Sequence, residues 1–68
     1  MELSARNQLA GRVVSVRLGN VMAEVSVDLG GGKTLTSVIT RGAAERLGLK
    51  EGDSVTAVVK ATSVMIGK

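Results

Sequence analysis

The side chains of this chain that can do chemistry are hydroxyls, amides and isolated cations, and they gather at three places. Ser4, Arg6 and Asn7 stand near the start, Ser37, Thr40 and Arg41 at the end of one strand-like run, and Lys60, Thr62 and Ser63 at the junction of the last two such runs. The 68 residues include no His and no Cys. The commonest general base and the strongest nucleophile are therefore missing, and an enzyme is a poor fit. Glu24 and Asp28 fall on one side of an alternating run and read as solvated outer-face charges. Asp28, Glu45, Glu51 and Asp53 are not spaced to converge, so no protein-ligated metal cation and no cofactor are expected. Gly30-Gly31-Gly32 lies between two strand-like runs rather than before a helix, which makes it a hairpin turn and not a phosphate loop.

What remains suits a small tetrahedral oxyanion. Such an ion carries charge on every side and needs donors from several directions, with one or two cations, but no general base and no aromatic platform. Each group has a plainer role by itself. Thr40 reads as a helix N-cap and Lys60 as a solvated strand end. Groups this far apart in sequence can converge across a subunit boundary.

The elements that must position these groups are mostly strands. From Val21 to Leu29 the alternation puts Val21, Ala23, Val25, Val27 and Leu29 on one face and Met22, Glu24, Ser26 and Asp28 on the other. The glycine turn follows, and Lys33–Thr40 returns as the second arm of a hairpin. Upstream, Leu9–Leu18 is rich in β-branched residues, and Gly11 marks a bend or bulge within it. Gly19-Asn20 is the turn between these two runs. Arg41–Leu49 changes character: Ala43, Ala44 and Leu47 share one face of a short helix, and Gly48 is its stop. Lys50–Asp53 is a turn, Ser54–Lys60 alternates again, and Thr62–Ile66 is a final short strand. Three strands, a helix and two strands predict an all-β fold, a five-stranded OB-like barrel with one short helix between strands three and four.

Size and composition add a demand for partners. Residues 1–68 make one domain. Hydrophobic residues make up 44%, but there is no Phe, Tyr, Trp or Pro, so the core is built from small aliphatic side chains. Without disulfides or thiolate metal sites, a domain this small is expected to bury apolar faces on other copies of itself. The net charge of +3 is carried by single, scattered Lys and Arg residues and favours anionic partners in general. The N-terminus lacks the apolar run of a signal peptide, and nothing approaches the roughly 20 apolar residues of a membrane span. A cytoplasmic protein with no membrane partner is expected.

SARNQL (Ser4–Leu9), GRVVSV, AEVSVDLGGG, TSVIT and AERLGLKEGDSVTAVVKATSVMI together resemble the molbindins, small molybdate-binding proteins of the TOBE family. The resemblance covers Ser4 to Ile66. It implies an OB-like barrel assembled as a homohexamer, a trimer of dimers, that holds molybdate or tungstate at subunit interfaces in two classes of site for storage or homeostasis. It assigns the interfacial site to Ser4 and Arg6, to Thr40, and to the pair Lys60 and Ala61. Some relatives carry a serine where this chain has Ala43, which brings only its backbone N–H. For the second class of site, Asn7 and the turn Gly19, Asn20 and Val21 are the candidates.

Two other uses of such a barrel make different demands. Single-stranded nucleic-acid binding calls for aromatic stacking platforms and a basic groove, and the chain has no aromatic residue. A purely structural oligomerisation module would be indifferent to oxyanions.

Overall fold

Alternation of apolar and polar residues produces a curled antiparallel sheet with one short helix. The computed structural model describes residues 2–68. Strand β1 spans Asn7–Leu18, β2 Met22–Gly30, β3 Lys33–Thr40 and β4 Ser54–Val59, with helix α1 at Arg41–Leu47 between β3 and β4. The sheet order is β3-β2-β1-β4, so the long β1 pairs with β4 through its first half and with β2 through its second.

The core lies on the concave face. Val13, Ala23, Val25 and Val27 are buried, and Val16, Leu29, Ile39, Leu49 and Val55 pack around them. Val13 and Val16 are three residues apart, an odd spacing that a regular strand would send to opposite faces. The register shift between Val13 and Ser15 resolves this by inserting one extra residue, Val14, which is left exposed. The bulge is therefore here and not at Gly11. Gly11 matters for a different reason. A Cβ at that position would lie 2.5 Å from Val27 Cγ1 and 2.8 Å from the Asp28 carbonyl oxygen. Only glycine lets β1 approach β2 this closely.

The hairpin forms as its sequence implies, with Gly30, Gly31 and Gly32 all at positive φ and the Gly30 N–H donating to Asp28 Oδ1 at 2.9 Å. Helix α1 stops at Gly48, whose left-handed φ of 61° lets its N–H turn back to the Ala44 and Glu45 carbonyls. Ala44 is buried as expected. Leu47, expected on the same face, is 68% exposed and sits at the rim of an open cleft. The turn at residues 50–53 is docked on β1: Gly52 N–H donates to the Val13 carbonyl and Val13 N–H to the Asp53 carbonyl.

The fifth strand expected at Thr62–Ile66 does not form. Ala61–Ser63 is a 3-10 turn, closed by Ser63 N–H to the Lys60 carbonyl at 2.9 Å and Val64 N–H to the Ala61 carbonyl at 3.3 Å. The residues beyond it pair with no strand, and Met65 and Ile66 are 91% and 89% exposed. A strand exists only when an edge receives it, and the turn directs the chain away from its own sheet. The result is a half-barrel: β3 and β4 are the sheet's two edges, and an apolar cleft of about 440 Å³ opens between them, lined in part by Leu35, Ile39, Leu47, Val55 and Val59.

Candidate functional site

The register of β1 sorts the candidate residues into two groups. Asn7 pairs with Val59, so the start of β1 and the end of β4 lie side by side. Ser4 and Arg6 precede that pair, and Lys60 and Ala61 follow it. All four are exposed. Asn7, inside the ladder, is half-buried. Lys60 and Ala61 open the 3-10 turn, where their carbonyls serve as acceptors, while the first N–H groups of such a turn have no partner within it.

The second group is at the other end of β1. Leu18 pairs with Ala23, and Met22 pairs with Thr40, which places the Gly19–Val21 turn beside the end of β3 and the start of α1. Arg41 joins these pieces. Its backbone N–H donates to the Val21 carbonyl at 2.8 Å, its guanidinium to the Gly19 carbonyl at 3.2 Å, and its Nε lies 3.5 Å from Glu45 Oε1. A further bond runs from Gly19 N–H to the Met22 carbonyl at 2.8 Å. Sequence grouped Arg41 with the nearby donors; the fold uses it to fasten the turn to the helix.

Thr40 is the N-cap of α1, its Oγ1 accepting from the Ala43 N–H at 3.0 Å. The plain reading of this threonine is thus realised, and it limits Ala43: the one donor that Ala43 possesses is already engaged. The cap leaves the Thr40 hydroxyl proton free to donate outward, because the hydroxyl accepts from the helix through a lone pair. Replacing Thr40 with valine should cost about 1 kcal/mol of stability through the lost cap, whereas Thr40→Ser should be near neutral. Urea unfolding of the two variants side by side checks this.

The register places the two groups at opposite ends of β1. β1 is twelve residues long, a length that extends about 40 Å when straight, and the longest dimension of the curled molecule is 35 Å. Ser4, Arg6, Lys60 and Ala61 flank the Asn7–Val59 pair at one end; Thr40, Ala43 and the Gly19–Val21 turn lie at the other. The apolar surface flanking the second cluster is also exposed, with Leu18 at 50%, Val21 at 71% and Val38 at 61%.

A curled four-stranded sheet with hydroxyl and cationic groups at both ends of its long strand, and with no aromatic residue, makes a small β-module. The sequence profile of the TOBE domain matches residues 3–66, and the chain belongs to that family. It is similar to molybdenum-pterin-binding protein 2 of Clostridium pasteurianum, at 53% identity over 66 residues that span 97% of each chain. Among solved structures, MopII from Clostridium pasteurianum matches with a TM-score of 0.92 and 51% identity over 98% of this chain and 100% of that one. A molybdate-binding protein from Sporomusa ovata matches with a TM-score of 0.93 and 40% identity over the whole of both chains. Coverage this complete extends the likeness to both ends of β1 and to the C-terminal segment.

Proposed function

We propose that this protein binds molybdate, or the similarly shaped tungstate, between copies of itself, and acts as a cytoplasmic oxyanion store rather than an enzyme. The observation that supports the reading is that the oxyanion donors stand at opposite ends of β1, an arrangement that a second copy would complete. The relatives named for molybdate or molybdenum-pterin binding, matched end to end, support the choice of ion.

In this reading Arg6 and Lys60 of one copy supply the charge and Ser4 and the Ala61 N–H add neutral donors. Thr40 of a second copy completes the shell with its hydroxyl proton, and Ala43 holds the Thr40 oxygen in place. A twofold pair places the same patch on both partners, so each pair has two such sites. Asn7 and the Gly19–Val21 turn are the candidates for a second class of site. A homohexamer, a trimer of such pairs, is the assembly that goes with it.

The half-barrel supports self-association independently. Its apolar cleft and the exposed Val64, Met65 and Ile66 are surfaces that a monomer would leave in water, and two open sheet edges accept added strands. Deleting Val64–Lys68 is therefore expected to shift the protein from an oligomer to monomers and smaller assemblies. Sedimentation of the full-length and truncated proteins checks this, and an unchanged assembly would remove the C-terminal segment from the interface.

Titration calorimetry with molybdate, tungstate, sulfate and phosphate, on protein whose mass in solution has been measured, tests the function. Tight binding of the first two by an oligomer, with sulfate and phosphate weaker, is the expected result. A folded oligomer that binds none of the four would be a structural module.

A further inference from the structure

We infer that Gln8 is a positioning residue for the oxyanion site: it holds the Ser4–Arg6 segment in a binding-ready shape. The inference rests on the proposed function above and adds a residue to it. Ser4 and Arg6 lie outside the ladder, which begins with the Asn7–Val59 pair. A segment before the first paired residue has no regular hydrogen bonding to order it. One side chain supplies that order. Gln8, paired with Val58 in the ladder, turns its amide back and donates from Nε2 to the Ala5 carbonyl at 2.8 Å. Among the described residues this is the one side-chain hydrogen bond that reaches the segment before β1.

Its position gives it leverage. Ala5 sits between the two proposed ligands and is half-buried while both neighbours are exposed. Fixing its carbonyl fixes the peptide plane that leads into Arg6 and restrains the backbone from Ser4 onward. A mobile segment would lose conformational freedom on closing around an ion, which weakens binding. A segment already ordered by Gln8 avoids most of that loss. The contact also fixes the orientation of the Gln8 amide, because only its NH₂ can face a carbonyl.

The test is Gln8→Met, which keeps the length of the side chain and removes the donor, with Gln8→Ser as a second variant should the first aggregate. Molybdate affinity is measured by calorimetry, backbone order at Ala5 and Arg6 by ¹⁵N relaxation, and assembly by sedimentation and thermal melting. Affinity is expected to fall about three- to tenfold, the scale of one neutral hydrogen bond, and order at Ala5 to fall with it, while mass and melting temperature stay as in the wild type. Unchanged affinity in a folded oligomer overturns the inference. So does weaker affinity with Ala5 as ordered as before, or a loss that tracks a loss of assembly, since both would make Gln8 merely structural. Failure of the wild-type protein to bind molybdate is a distinct outcome: it overturns the functional reading, and this inference with it.

Discussion

Replacing Arg6 with alanine is expected to weaken molybdate binding by about two orders of magnitude and to leave folding and assembly intact. The size follows from charge-assisted hydrogen bonds, each contributing about 1.5–3 kcal/mol, with about 1.4 kcal/mol for each factor of ten in affinity. A planar guanidinium that donates two such bonds to one tetrahedral ion accounts for this magnitude. The tolerance of the fold follows from place. Arg6 is exposed and precedes the first paired residue of β1, and among the described residues its side chain makes no hydrogen bond or ion pair. Arg6→Lys should fall between the two, because an ammonium keeps the charge but loses the fork. Calorimetry on all three proteins, with melting curves as the control, reads the outcome. Equal affinities in folded oligomers would remove Arg6 from the site.

Gly11→Ala is expected to be the most damaging single methyl in the molecule. The added carbon would meet Val27 Cγ1 at 2.5 Å and the Asp28 carbonyl oxygen at 2.8 Å. The valine methyl could rotate away, but the carbonyl belongs to the strand that pairs Arg12 with Asp28 and cannot retreat without opening the ladder. Overpacking of this kind costs about 1–3 kcal/mol and sometimes more. At about 4–8 °C per kcal/mol for a domain of this size, the upper part of that range lowers the melting temperature by roughly 10–20 °C. Gly42→Ala is the matched control. There the nearest atom to an added Cβ is the mobile end of Arg46 at 3.8 Å, and alanine favours the helix by up to about 1 kcal/mol over glycine. That variant should be neutral or slightly more stable. Similar melting of both variants would mean that β1 and β2 do not approach so closely at Gly11.

These two substitutions mark what could and could not be read from the sequence. The alternation from Val21 to Leu29 identified a strand and most of its buried face, since Ala23, Val25 and Val27 are core residues and Leu29 packs against them, whereas Val21, expected on the same face, precedes the strand and is 71% exposed. Thr40 and Gly48 marked the two ends of α1 because capping is local chemistry: a hydroxyl three residues before an N–H, and a glycine free to turn left-handed. Gly11 was legible as an oddity in a strand but not as a contact, because what makes it necessary is Val27 and Asp28 on the neighbouring strand. The bulge at Val14 was hidden for the same reason. It reconciles Val13 and Val16 with a core that exists only after β1 and β2 have paired. Leu47 carried a helical-face signal and proved exposed, since it falls at the rim of the open cleft rather than against the packed core.

The C-terminal segment is the clearest case. Thr62–Ile66 has the apolar content of a strand, and that signal does not say which edge receives it. The 3-10 turn at Ala61–Ser63 sends the segment outward, and the half-barrel is left open. The candidate site behaves alike. Sequence grouped its donors into an N-terminal set, a set around Thr40 and a set after β4. Pairing of Asn7 with Val59 fused the first and last of these, and β1 separated them from Thr40. In the proposed reading, that separation makes the site one that two chains share.

Subunit mixing tests this last claim most directly. Arg6→Ala and Thr40→Val chains, each a poor molybdate binder alone, would be co-assembled and titrated with molybdate. If one copy supplies Arg6 and another Thr40, a mixed pair has one site carrying both lesions and one site with neither, so full-affinity sites reappear in the mixture. If Arg6 and Thr40 of the same chain served a single site, every site would keep a lesion and the mixture would bind no better than its components, which would contradict a shared site between copies.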